Sequence, residues 1–176
     1  MRIRRATSLD REDVSDVHLS AFPEGERELI SRLAINLLSE RTIPETISLL
    51  AETEGAVAGH VAFSPVTIDG NDNLQGYILA PLGVKPDYQK RRIGSKLVED
   101  GMQQLLKMDV NLLFVYGDPQ YYRKFGFSRG VADRYIPPYK LQYPFGWQAV
   151  ILNECNVEKS SIKIACVKSL SDPKLW

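Results

Sequence analysis

Residues 79–106, reading LAPLGVKPDYQKRRIGSKLVEDGMQQLL, constrain the fold of this chain more than any other stretch. They join a broken strand to an amphipathic helix through a short basic loop. Leu79, Leu82 and Val84 form an apolar run interrupted by Pro81 and Gly83. A Pro or Gly inside a strand pattern marks a bulge or a close approach by another backbone. Beyond Pro86 a helix is expected from about Arg91, with Ile93, Leu97, Val98, Met102, Leu105 and Leu106 on one face at 3.6 residues per turn. The loop therefore ends on a helix N-terminus, where the first amides have no intrahelical partner and the macrodipole leaves about half a positive charge. Residues 89–95 make an anion seat on those grounds, and Lys90, Arg91, Arg92 and Lys96 add full charges.

The stretches on either side supply the other layers. Residues 2–5 are short enough for an edge strand, and Thr7 or Ser8 can cap a helix with Asp10, Glu12 and Asp13 in its first turn. Val14, Val17 and Ala21 continue that helix until Pro23 and Gly25 end it; a second helix over residues 26–39 buries Leu29, Ile30, Leu33 and Leu37. The period then changes to two. Residues 47–53 and 56–68 form a hairpin around Glu54 and Gly55, and residues 69–73 turn the chain into a third strand over 74–84, completing an antiparallel meander. After the central helix, residues 111–116 read as a short strand reached by a parallel crossover. Gly117, Asp118 and Pro119 stop it and open a brief helix over 120–125, ended by Gly126. Residues 128–147, rich in Pro and aromatic side chains, read as a long stiffened loop. Residues 148–153 and 162–167 are the last strands, and residues 169–176 either pack or fray.

Charge and cysteine usage exclude several classes. The 176 residues carry 22 basic and 22 acidic side chains, which argues against a general nucleic-acid or membrane-surface binder. No apolar run approaches the roughly 18 residues of a membrane span, and the N-terminal MRIRRATSLD lacks the apolar core of a signal peptide. Cys155 and Cys166 include no zinc-type pair, so no metal site is expected; they read as small, reduced, buried residues on strands of a cytoplasmic protein. Arg92-Ile93-Gly94-Ser95 lacks the Gly-Lys-Ser/Thr of a phosphate-binding loop, and Gly-x-Gly-x-x-Gly is missing.

Four pieces carry a family resemblance. Residues 82–97, LGVKPDYQKRRIGSKL, are similar to motif A of the GNAT N-acetyltransferases, and residues 121–127, YYRKFGF, are similar to the motif that follows it. Residues 59–66, GHVAFSPV, and 117–122, GDPQYY, resemble the bacterial YhbS-like branch. The four occur in the family's order and spacing. The resemblance implies one GNAT domain over residues 1–153, with residues 154–176 as a C-terminal extension packed on it. Its fold would be the α+β (mixed α/β) acyl-CoA N-acyltransferase fold, whose mostly antiparallel central sheet splays between its fourth and fifth strands and is flanked by helices.

The resemblance also implies a chemistry, with acetyl-CoA as the acyl donor. Its pantetheine arm would pair with the backbone of Leu82, Gly83 and Val84, and its pyrophosphate would sit on the amides of Gln89, Lys90, Arg91, Arg92, Ile93, Gly94 and Ser95. The family pattern is Gln/Arg-x-x-Gly-x-Gly/Ala, and its first glycine is Arg92 here. A helical backbone tolerates arginine at that position, whereas a positive φ or a close cofactor approach would reduce affinity. Tyr122 matches the family tyrosine beside the cofactor sulfur, either as the acid that protonates the departing thiolate or as a structural, cofactor-contacting ring; Tyr121 is its packing neighbour. A lysine-like amine of pKa about 10.4 is mostly charged at neutral pH, so a base or water chain is needed. Glu24, Glu26, Glu28 and His60 are candidates, none distinguished by spacing. The aromatic residues 135–147 either wall the acceptor pocket or cover a sheet edge.

The expected function is acetyl-CoA-dependent transfer to a primary amine of a small molecule or peptide, by a monomer or homodimer without nucleic-acid or membrane partners. The alternative is a GNAT-fold sensor or partner-binding module that binds acyl-CoA without efficient transfer, a reading that Arg92 permits.

Overall fold

The computed structural model describes residues 1–154 and 161–176, so Cys155 lies outside the described residues. These residues divide into two compact units, Met1–Phe63 with Ala80–Met102, and Ser64–Leu79 with Gln103–Trp176. The sheet has the hydrogen-bonded order β1-β2-β3-β4-β5-β7, with β1 at Arg2–Arg5, β2 at Ile47–Thr53, β3 at Ala56–Ile68, β4 at Gly76–Val84, β5 at Leu112–Tyr116 and β7 at Trp147–Ile151. Strands β6 (Tyr135–Ile136) and β8 (Ile162–Cys166) pair with each other, and β8 also pairs with β3.

In the first unit β1 lies antiparallel to β2, from Arg2↔Glu52 to Arg5↔Leu49, and β2 lies antiparallel to β3, from Ile47↔Phe63 to Thr53↔Ala56. The hairpin turn falls where the sequence places it. Glu54 (φ 55°) and Gly55 (φ 78°) are both left-handed, the backbone that lets a two-residue loop follow the strand twist. Thr7 caps a 3₁₀ turn at Ser8–Asp10 rather than the helix itself. Its hydroxyl accepts the Leu9 amide at 3.3 Å, and the Asp10 carboxylate accepts the Thr7 amide at 2.7 Å. Asp10 also takes two bonds from Arg4, at 2.6 and 2.9 Å. Helix α1 (Arg11–Ala21) starts one residue later and packs on α2 (Arg27–Ser39). Val14, Val17, Ala34, Leu50 and Val57 form a buried cluster between the helices and the strands. Helix α3 (Ile93–Lys107) begins two residues beyond the expected start, because Arg92 (φ 63°) is left-handed.

In the second unit β4 runs parallel to β5, from Gly76↔Leu112 to Leu79↔Val115, as a crossover through α3 requires. β5 is antiparallel to β7. Phe114 stacks on Trp147 at 5.3 Å and meets Tyr135 edge-on at 5.1 Å. The stretch expected as a loop over 128–147 contains a one-turn helix, α5 (Arg129–Ala132), and β6. Both elements are too short to impose a period on the sequence. The tail packs: Trp176 is buried and its indole N–H donates to the Leu170 carbonyl at 3.0 Å. Burial pushes the Cys166 thiol up to about 12, so it is protonated and unreactive at neutral pH. Among the described residues no helix is long and apolar enough to cross a membrane.

Candidate active site

The broken strand extends past its parallel partner. The β4–β5 pairs end at Leu79↔Val115, and β4 continues to Val84. The Lys85 amide donates to the Ala58 carbonyl at 2.9 Å, tying the end of β4 to β3, and the Gln89 side-chain amide donates to the Val84 carbonyl at 3.1 Å. A 3₁₀ turn at Pro86–Tyr88 follows. Lys90 (φ 61°) and Arg92 (φ 63°) then bend the chain twice through left-handed backbone, and the Arg92 carbonyl accepts the Lys96 amide at 3.0 Å as α3 opens. Ile93 and Ser95 are buried, Gly94 is half-buried, and Gln89, Lys90, Arg91 and Arg92 are exposed.

All the residues expected to meet the donor therefore lie on one continuous path in the first unit. Arg92, at the position of the pattern's first glycine, takes left-handed backbone, which favours glycine. Its side chain points away to Glu99 at 3.7 Å, while Arg91 pairs with Glu54 at 3.0 Å and lies 5.4 Å from the Tyr88 ring centroid.

Gly83 is required by a close approach. A Cβ there would fall 2.8 Å from Nδ1 of His18 and 3.3 Å from Cγ1 of Val17, both on α1. His18 Nε2 lies 2.8 Å from His60 Nδ1, and His60 Nε2 lies 2.7 Å from the Ser48 hydroxyl. Both rings are fully buried. Burial lowers the His18 pKa to about 4 and holds His60 well below its usual range, with a further contribution from His18. Both are neutral at pH 7. His18 Nδ1 has no hydrogen-bond partner among the described residues.

Of the candidate bases, His60 thus belongs to a buried pair whose other member, His18, the sequence reading missed. The available signal was position: His18 falls on the stripe of Val14, Val17 and Ala21, where a polar residue is out of pattern. Glu24, Glu26 and Glu28 are exposed, and Arg27 at 2.9 Å holds the Glu28 carboxylate below its ordinary range.

Tyr122 belongs to the second unit, at the end of α4 (Pro119–Tyr122), which Asp118 caps through the Gln120 amide at 2.9 Å. Its ring meets Tyr121 at 5.0 Å and Phe127 at 5.6 Å, both edge-on. Burial first, then Tyr121 and Asp118, raises its pKa above that of an ordinary phenol. No described residue hydrogen-bonds its hydroxyl. In the aromatic stretch, Tyr135 and Trp147 are buried and joined by a 2.9 Å bond from the indole N–H to the Tyr135 carbonyl, whereas Tyr143 and Phe145 are exposed.

Comparison with known proteins bears on this geometry. Residues 2–130 match the model of the acetyltransferase (GNAT) domain. The chain is 34% identical over 134 residues to the uncharacterized N-acetyltransferase YjhQ of Escherichia coli K12, covering 75% of this chain and 72% of that protein. It is 40% identical over 84 residues to the uncharacterized N-acetyltransferase YhbS of the same strain, covering 47% of this chain and 50% of YhbS. A GNAT family acetyltransferase from Brucella melitensis, solved in complex with acetyl-CoA, superposes with a TM-score of 0.71 at 27% identity, over 92% of this chain and 93% of that one. YhbS from E. coli, solved with CoA, superposes with a TM-score of 0.82 at 24% identity, over 97% and 92%; that match speaks to the fold alone.

Proposed function

Because the chain belongs to the GNAT acetyltransferase domain family, we propose that it is an N-acetyltransferase that passes the acetyl group of acetyl-CoA directly to a primary amine of a small molecule or peptide. The carrying observation is the path along the end of β4, the left-handed loop and the start of α3. It fits the donor in kind. Backbone groups of Leu82, Gly83 and Val84, beyond the last pair with β5, suit the amides of the pantetheine arm. The amides from Gln89 to Ser95 suit its pyrophosphate, each hydrogen bond to a charged group contributing about 1.5–3 kcal/mol. Gly83 leaves that backbone unobstructed by a side chain of its own. Exposed Lys90 and Lys96 add attraction screened by solvent.

The bound thioester supplies an activated acetyl group. Tyr122 retains its proton throughout neutral pH, so its hydroxyl can donate to the sulfur of the departing CoA. The left-handed φ of Arg92 favours a weaker donor site than a glycine would make, and it keeps the sensor reading open as the second one. Calorimetry with acetyl-CoA tests the donor site: saturable binding is expected, and no binding at millimolar donor overturns both readings. Free-CoA release across amines, polyamines and peptides then separates them. Turnover above hydrolysis supports the enzyme, and binding without turnover on any acceptor supports the sensor.

A further inference from the structure

Helix α1, β3 and β2 bring three buried polar side chains into one chain of hydrogen bonds. In order from Gly83 they are His18, His60 and Ser48, joined at 2.8 and 2.7 Å. The inner end faces the donor path, where the partnerless Nδ1 of His18 lies under Gly83. At the outer end Ser48, itself 7% exposed, lines an open groove of about 450 Å³ together with Leu37, Glu40, Arg41, Glu45 and Thr46. A purely structural polar pair needs neither an orphaned nitrogen at one end nor a wet groove at the other.

We infer that His18, His60 and Ser48 form a proton relay that removes the proton of the acceptor ammonium at His18 Nδ1 and releases it from Ser48 into that groove. The inference rests on the acetyltransferase reading and supplies it with a base. As the amine yields a proton to His18 Nδ1, directly or through one water, the Nε2 proton of His18 moves to His60 Nδ1. The Nε2 proton of His60 moves to Ser48 Oγ, and the original Ser48 hydroxyl proton passes to water. The freed amine lone pair forms the C–N bond, the C–S bond breaks, and the second amine proton ends on the CoA sulfur. One ammonium and one thioester thus give one amide, one thiol and one proton in the groove. Burial disfavours an imidazolium at either ring, yet the relay needs none, because each ring gains a proton at one nitrogen as it loses one at the other.

The relay requires a resting tautomer. His18 must carry its proton on Nε2, leaving Nδ1 as an acceptor, and His60 must carry its proton on Nε2, donating to Ser48. The chain has only two histidines, so long-range ¹H–¹⁵N spectra of histidine-labelled protein at pH 7 resolve both rings. Two Nε2–H tautomers are the expected result; an Nδ1–H tautomer or an imidazolium at His18 overturns the relay whether or not any amine turns over. A kinetic arm uses acetyl-CoA with spermidine and with a lysyl peptide as probe amines. Ser48→Ala should lower the single-turnover rate by about 10²-fold, with calorimetric acetyl-CoA affinity unchanged, and Ser48→Thr should restore it. A wild-type rate in Ser48→Ala refutes the relay while leaving the enzyme reading intact, and absent acetyl-CoA binding by the wild type defeats that reading instead.

Discussion

His18 and His60 are neutral because an imidazolium loses its hydration in the core, and this sets a pH dependence of stability. In the unfolded chain both bind protons below the ordinary histidine pKa of about 6.5, while the folded state does not. Stability therefore rises with pH in this window and falls on acidification from about 6.5 toward 4, by up to about 1.4 kcal/mol per pH unit for each ring. Urea unfolding at pH 7, 6 and 5 should show the loss, and a flat profile would contradict the buried neutral pair. Tyr122→Phe removes a proton that no described residue shares and should lower the transfer rate by about 10² or more, with acetyl-CoA affinity unchanged in calorimetry; an unchanged rate removes its role as acid. At Arg92 the left-handed backbone costs a side-chain-bearing residue about 1–2 kcal/mol. Arg92→Gly relieves that and gives back about 0.5–1 kcal/mol in unfolded-chain entropy, so stability should stay within about 1 kcal/mol of wild type. Its acetyl-CoA affinity should change by less than about tenfold, because the exposed guanidinium pairs only loosely with Glu99; a larger loss would make the side chain a principal donor contact. Tyr122 was legible as a motif letter and Arg92 as a departure from one. The φ of Arg92 was not, because arginine carries no left-handed signature, and His18 was hidden because one polar residue on an apolar stripe does not alter the period.

Among the elements, the hairpin of β2 and β3 was readable to the residue, since Glu54-Gly55 interrupts two largely apolar, buried runs. The start of the first helix was not. Thr7 does cap, but it caps a 3₁₀ turn whose Asp10 is held by Arg4 of the neighbouring strand, a tertiary contact that local sequence does not reveal. Arg4 and Thr7 hold the Asp10 carboxyl well below the usual range. Its stabilisation is therefore full above the ordinary carboxylate pKa and is lost as pH falls below it. Asp10→Asn should cost about 1–3 kcal/mol at pH 7, read by urea unfolding, and less at pH 3; an equal cost at both would remove the ion pair from the account. The short strands β6 and β8 depend on pairings across many residues, such as Val66↔Cys166 and Tyr135↔Ile162. Their strand character shows in composition only for β8.

For the whole molecule, a chain of zero net charge places four basic side chains around the start of α3, two of them paired with Glu54 and Glu99. The β2–β3 hairpin and the parallel pairing of β4 with β5 followed from the positions of helix and strand periods, because a crossover helix leaves little topological choice, whereas the places of β7 and β8 did not. The extent of that pairing did not follow: only the structure locates its end at Leu79↔Val115 and leaves Leu82, Gly83 and Val84 beyond it. That geometry underlies the proposed donor site, and amide hydrogen exchange with and without saturating acetyl-CoA tests it most directly. Slowed exchange at residues 82–84 and 89–95 is predicted. Full occupancy by acetyl-CoA with unchanged exchange in both segments would contradict the site.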